Sequence, residues 1–265
     1  MESLQYQNGV YRTSQVRISL FSRIFPELSL YISVARIVFS GSRLAKRGRY
    51  GDAEWGADSL DSLRAFERVG GVFEVTGTDS FRSLGGPCVF IGNHMSTLET
   101  MVLPCLIVPF KKVTFVVKQS LVDYPVFKHI MRARDPITVG RSNPREDLKA
   151  VLEGGEERLK KGVSLVIFPQ TTRTPVFNPA EFNTIGVKLA KRAGVPVVPV
   201  ALLTDAWGNG KHLKEFGRID PSKKVHFAFG EPVKIAGRGD EEHQLIIEFI
   251  TGKLREWGGQ VAENK

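Results

Sequence analysis

The sequence predicts an α/β fold, a mostly parallel mixed sheet flanked by helices and preceded by an N-terminal amphipathic helix pair. Three observations carry that expectation. From residue 72 onward, short apolar runs rich in β-branched residues alternate with longer stretches of helical period, the pattern of βα units around a sheet. Four of those runs are followed within a few residues by a chemically capable side chain: His94, Lys118, Arg141 and Arg173. In parallel sheets ligands gather beyond the carboxyl ends of the strands, so the four are expected to meet at one rim. Third, residues 14–40 carry large apolar side chains at helical spacing among Ser, Arg and Glu.

Each element follows from local chemistry. Residues 1–13 read as a loose polar lead. Leu20, Phe21, Ile24, Phe25 and Leu28 recur at helical spacing, and Pro26 is expected to divide the stretch into two short helices, the second over about residues 27–40. Residues 48–59 read as a turn-rich linker, which puts a boundary between an N-terminal membrane-associating helical segment, 1–50, and an α/β domain, 51–265. Strands are expected at 72–76, 88–92, 113–117, 137–139, 163–168 and 195–203, with 225–229 as an edge strand. Helices are expected at 97–108, at 144–161 with Gly162 as C-terminal cap, at 183–193 ending at Gly194, and at 241–257.

A chain of 265 residues, 42% hydrophobic and 25% charged, suits one large globular domain and excludes a disordered or multi-span membrane protein. The formal charge of +9 points to an anionic partner. Residues 1–50 hold eight Arg or Lys against Glu2 and Glu27, a net charge of +6. That charge lies beside the apolar stretch, whose longest charge-free run, Leu28 to Ala35, falls well short of the ~18 to 20 residues of a spanning helix. The expectation is an interfacial helix pair on an anionic membrane surface, peripheral or monotopic. An ordinary core helix pair with a solvated basic tail is the alternative. Cys88 and Cys105 sit in apolar runs without metal spacing and read as buried thiols of a reducing compartment. No signal peptide is evident, so the catalytic part is expected on the cytoplasmic face.

The motif that proposes chemistry is Asn93-His94-Met95-Ser96-Thr97-Leu98-Glu99. A neutral imidazole takes a proton from an attacking alcohol, and a carboxylate on its other nitrogen fixes the tautomer. Positions five apart lie roughly 140° round a helix, so the pairing requires His94 in the turn before the helix, with Ser96 or Thr97 as cap. The other histidines, His129, His212, His226 and His243, are scattered, and no metal site is expected.

Four ordered blocks make the sequence similar to the membrane phospholipid acyltransferases related to glycerol-3-phosphate and 1-acylglycerol-3-phosphate acyltransferases. Asn93-His94-x4-Glu99 resembles the family's Asn-His-x4-Asp/Glu. Lys118 with Pro125, followed by Ile137 to Arg141, resembles the second block. Phe168-Pro169-Gln170-Thr171-Thr172-Arg173-Thr174 resembles Phe-Pro-Glu-Gly-Thr-Arg-Ser, and Val195 to Val200 the fourth. Gln170 and Thr171 stand where the family has Glu and Gly, which leaves the acceptor head group open; a β-branched residue is strained wherever such a Gly has positive φ.

The resemblance implies a glycerol-3-phosphate acyltransferase-like fold and transfer of an acyl group from a thioester to a lysophospholipid hydroxyl, 1-acylglycerol-3-phosphate foremost. His94 is then the base and Glu99 its orienter. Asn93, Lys118, Arg141, Gln170, Thr171, Thr172 and Arg173 are the expected substrate-binding residues. It implies no cofactor, with acyl-CoA or acyl carrier protein thioester as co-substrate. Another lysolipid head group, a lipid hydrolase using the same pair, and a non-catalytic peripheral membrane protein stay open as alternatives. No nucleic-acid motif is present, so no nucleic-acid partner is expected.

Overall fold

A computed structural model of the chain describes residues 4–211 and 213–263. Its strands are β1 (Tyr11–Arg12), β2 (Val72–Thr76), β3 (Val89–Gly92), β4 (Val113–Lys118), β5 (Ile137–Val139), β6 (Ser164–Ile167), β7 (Val176–Phe177), β8 (Val197–Leu203), β9 (Lys224–Phe229) and β10 (Gln260–Val261). The helices are α1 (Leu20–Ile24), α2 (Pro26–Lys46), α3 (Asp52–Glu67), α4 (Asp79–Arg82), α5 (Leu98–Ile107), α6 (Gln119–Asp123), α7 (Phe127–Ala133), α8 (Pro144–Lys160), α9 (Ile185–Ala193) and α10 (Asp240–Glu256). Eight strands form one mixed sheet in the order β1-β2-β9-β8-β3-β6-β4-β5, and β7 pairs with β10 apart from it. Strands β3, β4, β5, β6 and β8 run parallel, whereas β9 is antiparallel to β8.

Burial on both faces explains why the central strands are almost continuously apolar. Along β3, Phe90 faces one core, shared with Leu63 and Phe66 of α3 and Leu98, Val102 and Leu106 of α5. Its neighbours Val89 and Ile91 face the opposite core, with Val151 of α8, Val187 and Leu189 of α9 and Ile246 and Ile250 of α10. The same alternation runs through Leu165, Val166 and Ile167 of β6. Helices therefore cover the sheet on two sides, in three layers.

Gly92 ends β3 where the chain must pass tight against β8. A Cβ there would lie 2.9 Å from the Val200 carbonyl oxygen, closer than side chains are found. The absence of that atom lets β3 stay in register with Val200 to its last residue and deliver Asn93 and His94 at the sheet's edge.

Four expectations are corrected. The polar lead is partly structured: Tyr11–Arg12 pairs antiparallel with β2, and the Tyr11 and Thr13 hydroxyls each donate to Glu67 Oε1 at 2.6 Å. Two residues carry no readable periodicity. The second N-terminal helix continues past residue 40 to Lys46, because Gly41 fits a close approach to α3, where a Cβ would lie 2.5 Å from Asp58 Oδ2. Residues 48–59 are a linker only as far as Gly51. From Asp52 they form α3, capped by Glu54, whose Oε2 accepts the Gly51 amide at 2.8 Å. Finally, β9 is internal, between β2 and β8; the sheet's edges are β1 and β5.

The N-terminal pair has two characters. Leu30 of α2 is fully buried, and the Tyr31 ring packs edge-on against Trp207 while its hydroxyl donates to the Gly217 carbonyl. On the outer side Leu20, Phe21, Ile24, Phe25, Leu28, Ile32 and Phe39 are exposed, Leu20 by 72% and Phe39 by 56%. Among the described residues no helix is long and apolar enough to cross a membrane.

Candidate active site

The parallel strands β3, β4, β5 and β6 all release their carboxyl ends at one rim. His94 follows β3, Lys118 ends β4, Arg141 follows β5 and the Phe168–Thr174 loop follows β6. Loop and turn are joined directly: the Thr174 amide donates to the His94 carbonyl at 3.0 Å, and the His94 amide donates to Gln170 Oε1 at 2.6 Å.

His94 sits in the turn before α5, so it reaches the carboxylate of Glu99 in the first helical turn. Nδ1 lies 2.9 Å from Glu99 Oε1. Because an ionised carboxylate only accepts, Nδ1 carries the proton, and Nε2 presents its lone pair. Nε2 has no partner among the described residues, and the His94 side chain remains 15% exposed. The Phe168 ring lies parallel to the imidazole, centroids 4.4 Å apart and planes within 6°, fixing its tilt.

Glu99 has no exposed surface. Oε1 also accepts the amides of Met95 at 2.7 Å and Ser96 at 2.9 Å, and Oε2 lies 2.9 Å from the Ser96 hydroxyl and 2.5 Å from that of Thr204. Burial pushes the carboxyl's pKa up. The bonds from His94, Thr204 and Ser96 outweigh it and hold the group below the ordinary glutamate value, as an anion. The Ser96 hydroxyl also accepts the Leu98 amide at 3.0 Å. Ser96 and Glu99 thus make a capping-box arrangement in which one carboxylate both starts α5 and holds the imidazole.

The expected substrate residues divide into two groups. Asn93 is 1% exposed and spends its amide on β8, donating to the Leu202 carbonyl at 2.8 Å and accepting the Leu202 amide at 2.9 Å. Both of these bonds go to the backbone of β8, so in the unliganded chain Asn93 extends the sheet by one side chain. Gln170, also buried, uses its oxygen on the His94 amide and so positions the turn that carries the imidazole. An acceptor oxygen is all this bond requires, so the Glu-to-Gln departure preserves it. Thr171 keeps a φ outside the left-handed region, and the strain feared there is absent.

The cations lie on the open side. Lys118 is exposed, with no hydrogen-bond or ion-pair partner for its ammonium among the described residues. Arg141 has φ of 62°, held by Asp147, whose two oxygens accept the Gly140 and Arg141 amides at 2.8 Å each. Its Nη1 donates to the Thr171 carbonyl at 2.6 Å. Burial lowers the Arg141 pKa, Asp147 raises it and the Arg173 charge lowers it further, leaving it below the ordinary arginine value. Arg173 donates to the Thr97 hydroxyl and, through Nη2, to Glu215 Oε1 at 2.5 Å. The exposed Thr172 hydroxyl accepts from Lys214.

Sequence reasoning missed Thr204, Phe168, Asp147 and Glu215. Ser96, by contrast, is legible as a cap and as the first residue of Ser-x-x-Glu. His212 lies outside the described residues. Among those described, no group of three or more His, Cys, Asp and Glu side chains is placed to hold a metal ion.

Fold and site together define a mixed α/β protein that carries an acid-oriented imidazole at a strand exit. A family model described as Acyltransferase matches residues 72–203, from β2 through the end of β8. The chain is 37% identical over 129 residues to the 1-acyl-sn-glycerol-3-phosphate acyltransferase of Pseudomonas aeruginosa, covering 49% of this chain and 48% of that one. It is 30% identical over 187 residues to a probable 1-acyl-sn-glycerol-3-phosphate acyltransferase of Mycoplasma pneumoniae, covering 66% of this chain and 67% of that protein. In fold it resembles the crystal structure of the 1-acyl-sn-glycerophosphate (LPA) acyltransferase PlsC from Thermotoga maritima. The TM-score is 0.67 at 21% identity, over 91% of this chain and 98% of that one. The chain belongs to the acyltransferase family. Its matches span about half the length or less of the first curated relatives.

The linkage of Glu99 sets a pH dependence. A carboxyl with a depressed native pKa stabilises the fold fully above its unfolded value, about 4.3, and loses that contribution as pH falls through the native value. Glu99→Gln removes this titration. In urea unfolding the variant is expected to be about 2–4 kcal/mol less stable at pH 7, with a shallower loss of stability below pH 5. An acid limb identical to that of the parent chain would contradict the network.

Proposed function

We propose that this chain transfers a fatty acyl group from a thioester donor, acyl-CoA or acyl carrier protein, to the free hydroxyl of 1-acylglycerol-3-phosphate, giving phosphatidic acid. The observation that carries the reading is the His94–Glu99 pair, with Nδ1 engaged by a buried anion and Nε2 unengaged. Nε2 takes the proton of the acceptor hydroxyl as that oxygen attacks the thioester carbonyl, and Glu99 stabilises the imidazolium that results. The tetrahedral oxyanion collapses, the carbon–sulfur bond breaks, and the imidazolium returns its proton to the leaving thiolate. No covalent enzyme intermediate is required. Lys118, Arg141 and Arg173 supply the charge that receives the acceptor's phosphate, the arginines by forked hydrogen bonds and the lysine as a point charge. The names of the relatives support the same acceptor.

The surface at which this happens is an anionic membrane, on its cytoplasmic face. Exposed Leu20, Phe21, Ile24, Phe25, Leu28, Ile32 and Phe39 on α1 and α2 form an apolar edge, and the basic residues of the first 50 positions support attachment. Replacing Phe25 and Phe39 together by Asp is expected to release the protein from sedimented phosphatidylglycerol vesicles. Undiminished co-sedimentation would refute this face.

The chemistry is tested with purified protein, labelled acyl donor and a panel of lysophospholipids. His94→Ala is expected to cut kcat by about 10²- to 10⁴-fold while the circular dichroism spectrum and urea midpoint stay near those of the parent. Turnover within a few-fold of the parent would remove His94 as base. Release of free fatty acid with no acceptor present would favour the hydrolase reading.

A further inference from the structure

Arg173, a cation proposed to receive the acceptor's phosphate, is already engaged. Glu215, in the connection between β8 and β9, holds Arg173 Nη2 at 2.5 Å, and this connection lies beyond the family match at 72–203. Its main chain is fixed without help from that carboxylate. Trp207 Nε1 donates to the Glu215 carbonyl at 3.1 Å, the Gly208 amide donates to the Arg218 carbonyl at 2.9 Å, and the Tyr31 hydroxyl of α2 donates to the Gly217 carbonyl. The Tyr31 ring also packs against Phe216 with centroids 5.4 Å apart. The carboxylate is thus presented to Arg173 from a pinned turn, and it remains 42% exposed, with solvent into which it can swing.

Positive charge is in excess around the pair, since Arg141, Arg173 and Lys214 meet two carboxylates, Glu215 and Asp147, and both oxygens of Asp147 accept the Gly140 and Arg141 amides. Arg141, Arg173 and Lys214 converge on residues 171–173 through the Thr171 carbonyl, Arg173 itself and the Thr172 hydroxyl, and the Arg173–Glu215 pair is the only ion pair found for those three among the described residues. A phosphate monoester carries close to two negative charges at neutral pH and three strong acceptor oxygens, one charge more than a carboxylate. It neutralises the cluster better than Glu215 does, and it offers three acceptor oxygens where a carboxylate offers two.

We propose that Glu215 is a built-in counter-ion that occupies Arg173 in the unliganded chain and is exchanged for the phosphate of the acceptor. The inference rests on the proposed role of Arg173 as a phosphate ligand and adds a residue that sets the affinity for it. Glu215 acts through Arg173 and is a positioning residue. It keeps the guanidinium aimed and satisfied while the site is empty, and lowers apparent affinity for every anion that must displace it. Because the turn carrying Glu215 rests on Tyr31, the site's anion affinity is joined to the seating of α2.

Direct binding separates this proposal from the acyl-transfer reading. Titrating the full chain calorimetrically with inorganic phosphate and with glycerol 3-phosphate, Glu215→Gln is expected to tighten binding about 3- to 10-fold, the size of a partly exposed ion pair. Glu215→Asp is expected to bind less tightly than Glu215→Gln, toward the parent, and Arg173→Gln to abolish binding. In turnover assays with the acyl donor saturating, Glu215→Gln is expected to lower KM for 1-acylglycerol-3-phosphate by a similar factor, with KM for monoacylglycerol unchanged. A merely structural ion pair predicts weaker binding or equal losses for both acceptors. Unchanged or weaker phosphate binding in Glu215→Gln, or no phosphate binding by any form, overturns the proposal. If phosphate binding follows the expected order but no acyl transfer occurs with any lysolipid, the exchange stands and the proposed reaction falls.

Discussion

The Glu99 carboxylate, sealed from solvent between β3, α5 and the end of β8, is the point on which the rest of this structure depends. A buried anion is costly unless its lone pairs are occupied, and here they meet two amides, two hydroxyls and one imidazole. Each donor lies on a segment the fold must position: Met95 and Ser96 on the turn after β3, Thr204 just past β8, His94 at the strand exit. The same contacts that make the charge tolerable start a helix, tie two strands together at their ends, and leave one imidazole nitrogen facing outward. Stability and chemistry draw on one set of hydrogen bonds, of which the imidazole gives one of five.

A second consequence concerns the division between fixed and available groups. Asn93 and Gln170 lie beside His94 in sequence or in space, and the bonds they make, two from Asn93 and one to the Gln170 oxygen, go to backbone and hold the turn in place. Lys118, Arg141 and Arg173 stand on the solvent side of the same rim. Held in this way, His94 presents one ring nitrogen outward, and three cations stand at the neighbouring strand exits, β6, β4 and β5. Tyr31 ties the exposed apolar edge of α1 and α2 to the turn carrying Glu215.

Much of this was legible in the residues alone, because strands buried on both faces must be continuously apolar. Val89–Gly92 and Val197–Leu203 fall where the pattern puts them, and the His94-to-Glu99 spacing demands the pre-helical turn that the structure contains. Helix α3 was hidden because Gly48, Gly51, Gly56 and Ser59 read as turn residues, although Gly56 and Ser59 are buried inside the helix where small side chains suit close packing. The role of Asn93 was not legible: its partner Leu202 is 109 positions away, and no single sequence states which strand lies beside β3. Glu215 was invisible for the same reason, since a carboxylate in a polar loop carries no mark of the arginine it meets 42 residues earlier. Local chemistry writes periodicity and caps into a chain, whereas side-chain pairs across the sheet are decided by strand order.

The most direct test of the account is the tautomer of His94. In nitrogen-15 spectra of the histidine side chains, at a pH where the ring is neutral, the account predicts a proton on Nδ1 and a bare Nε2, with the Nδ1 signal displaced when Glu99 is changed to Gln. A proton on Nε2 instead, with Nδ1 indifferent to residue 99, would contradict it.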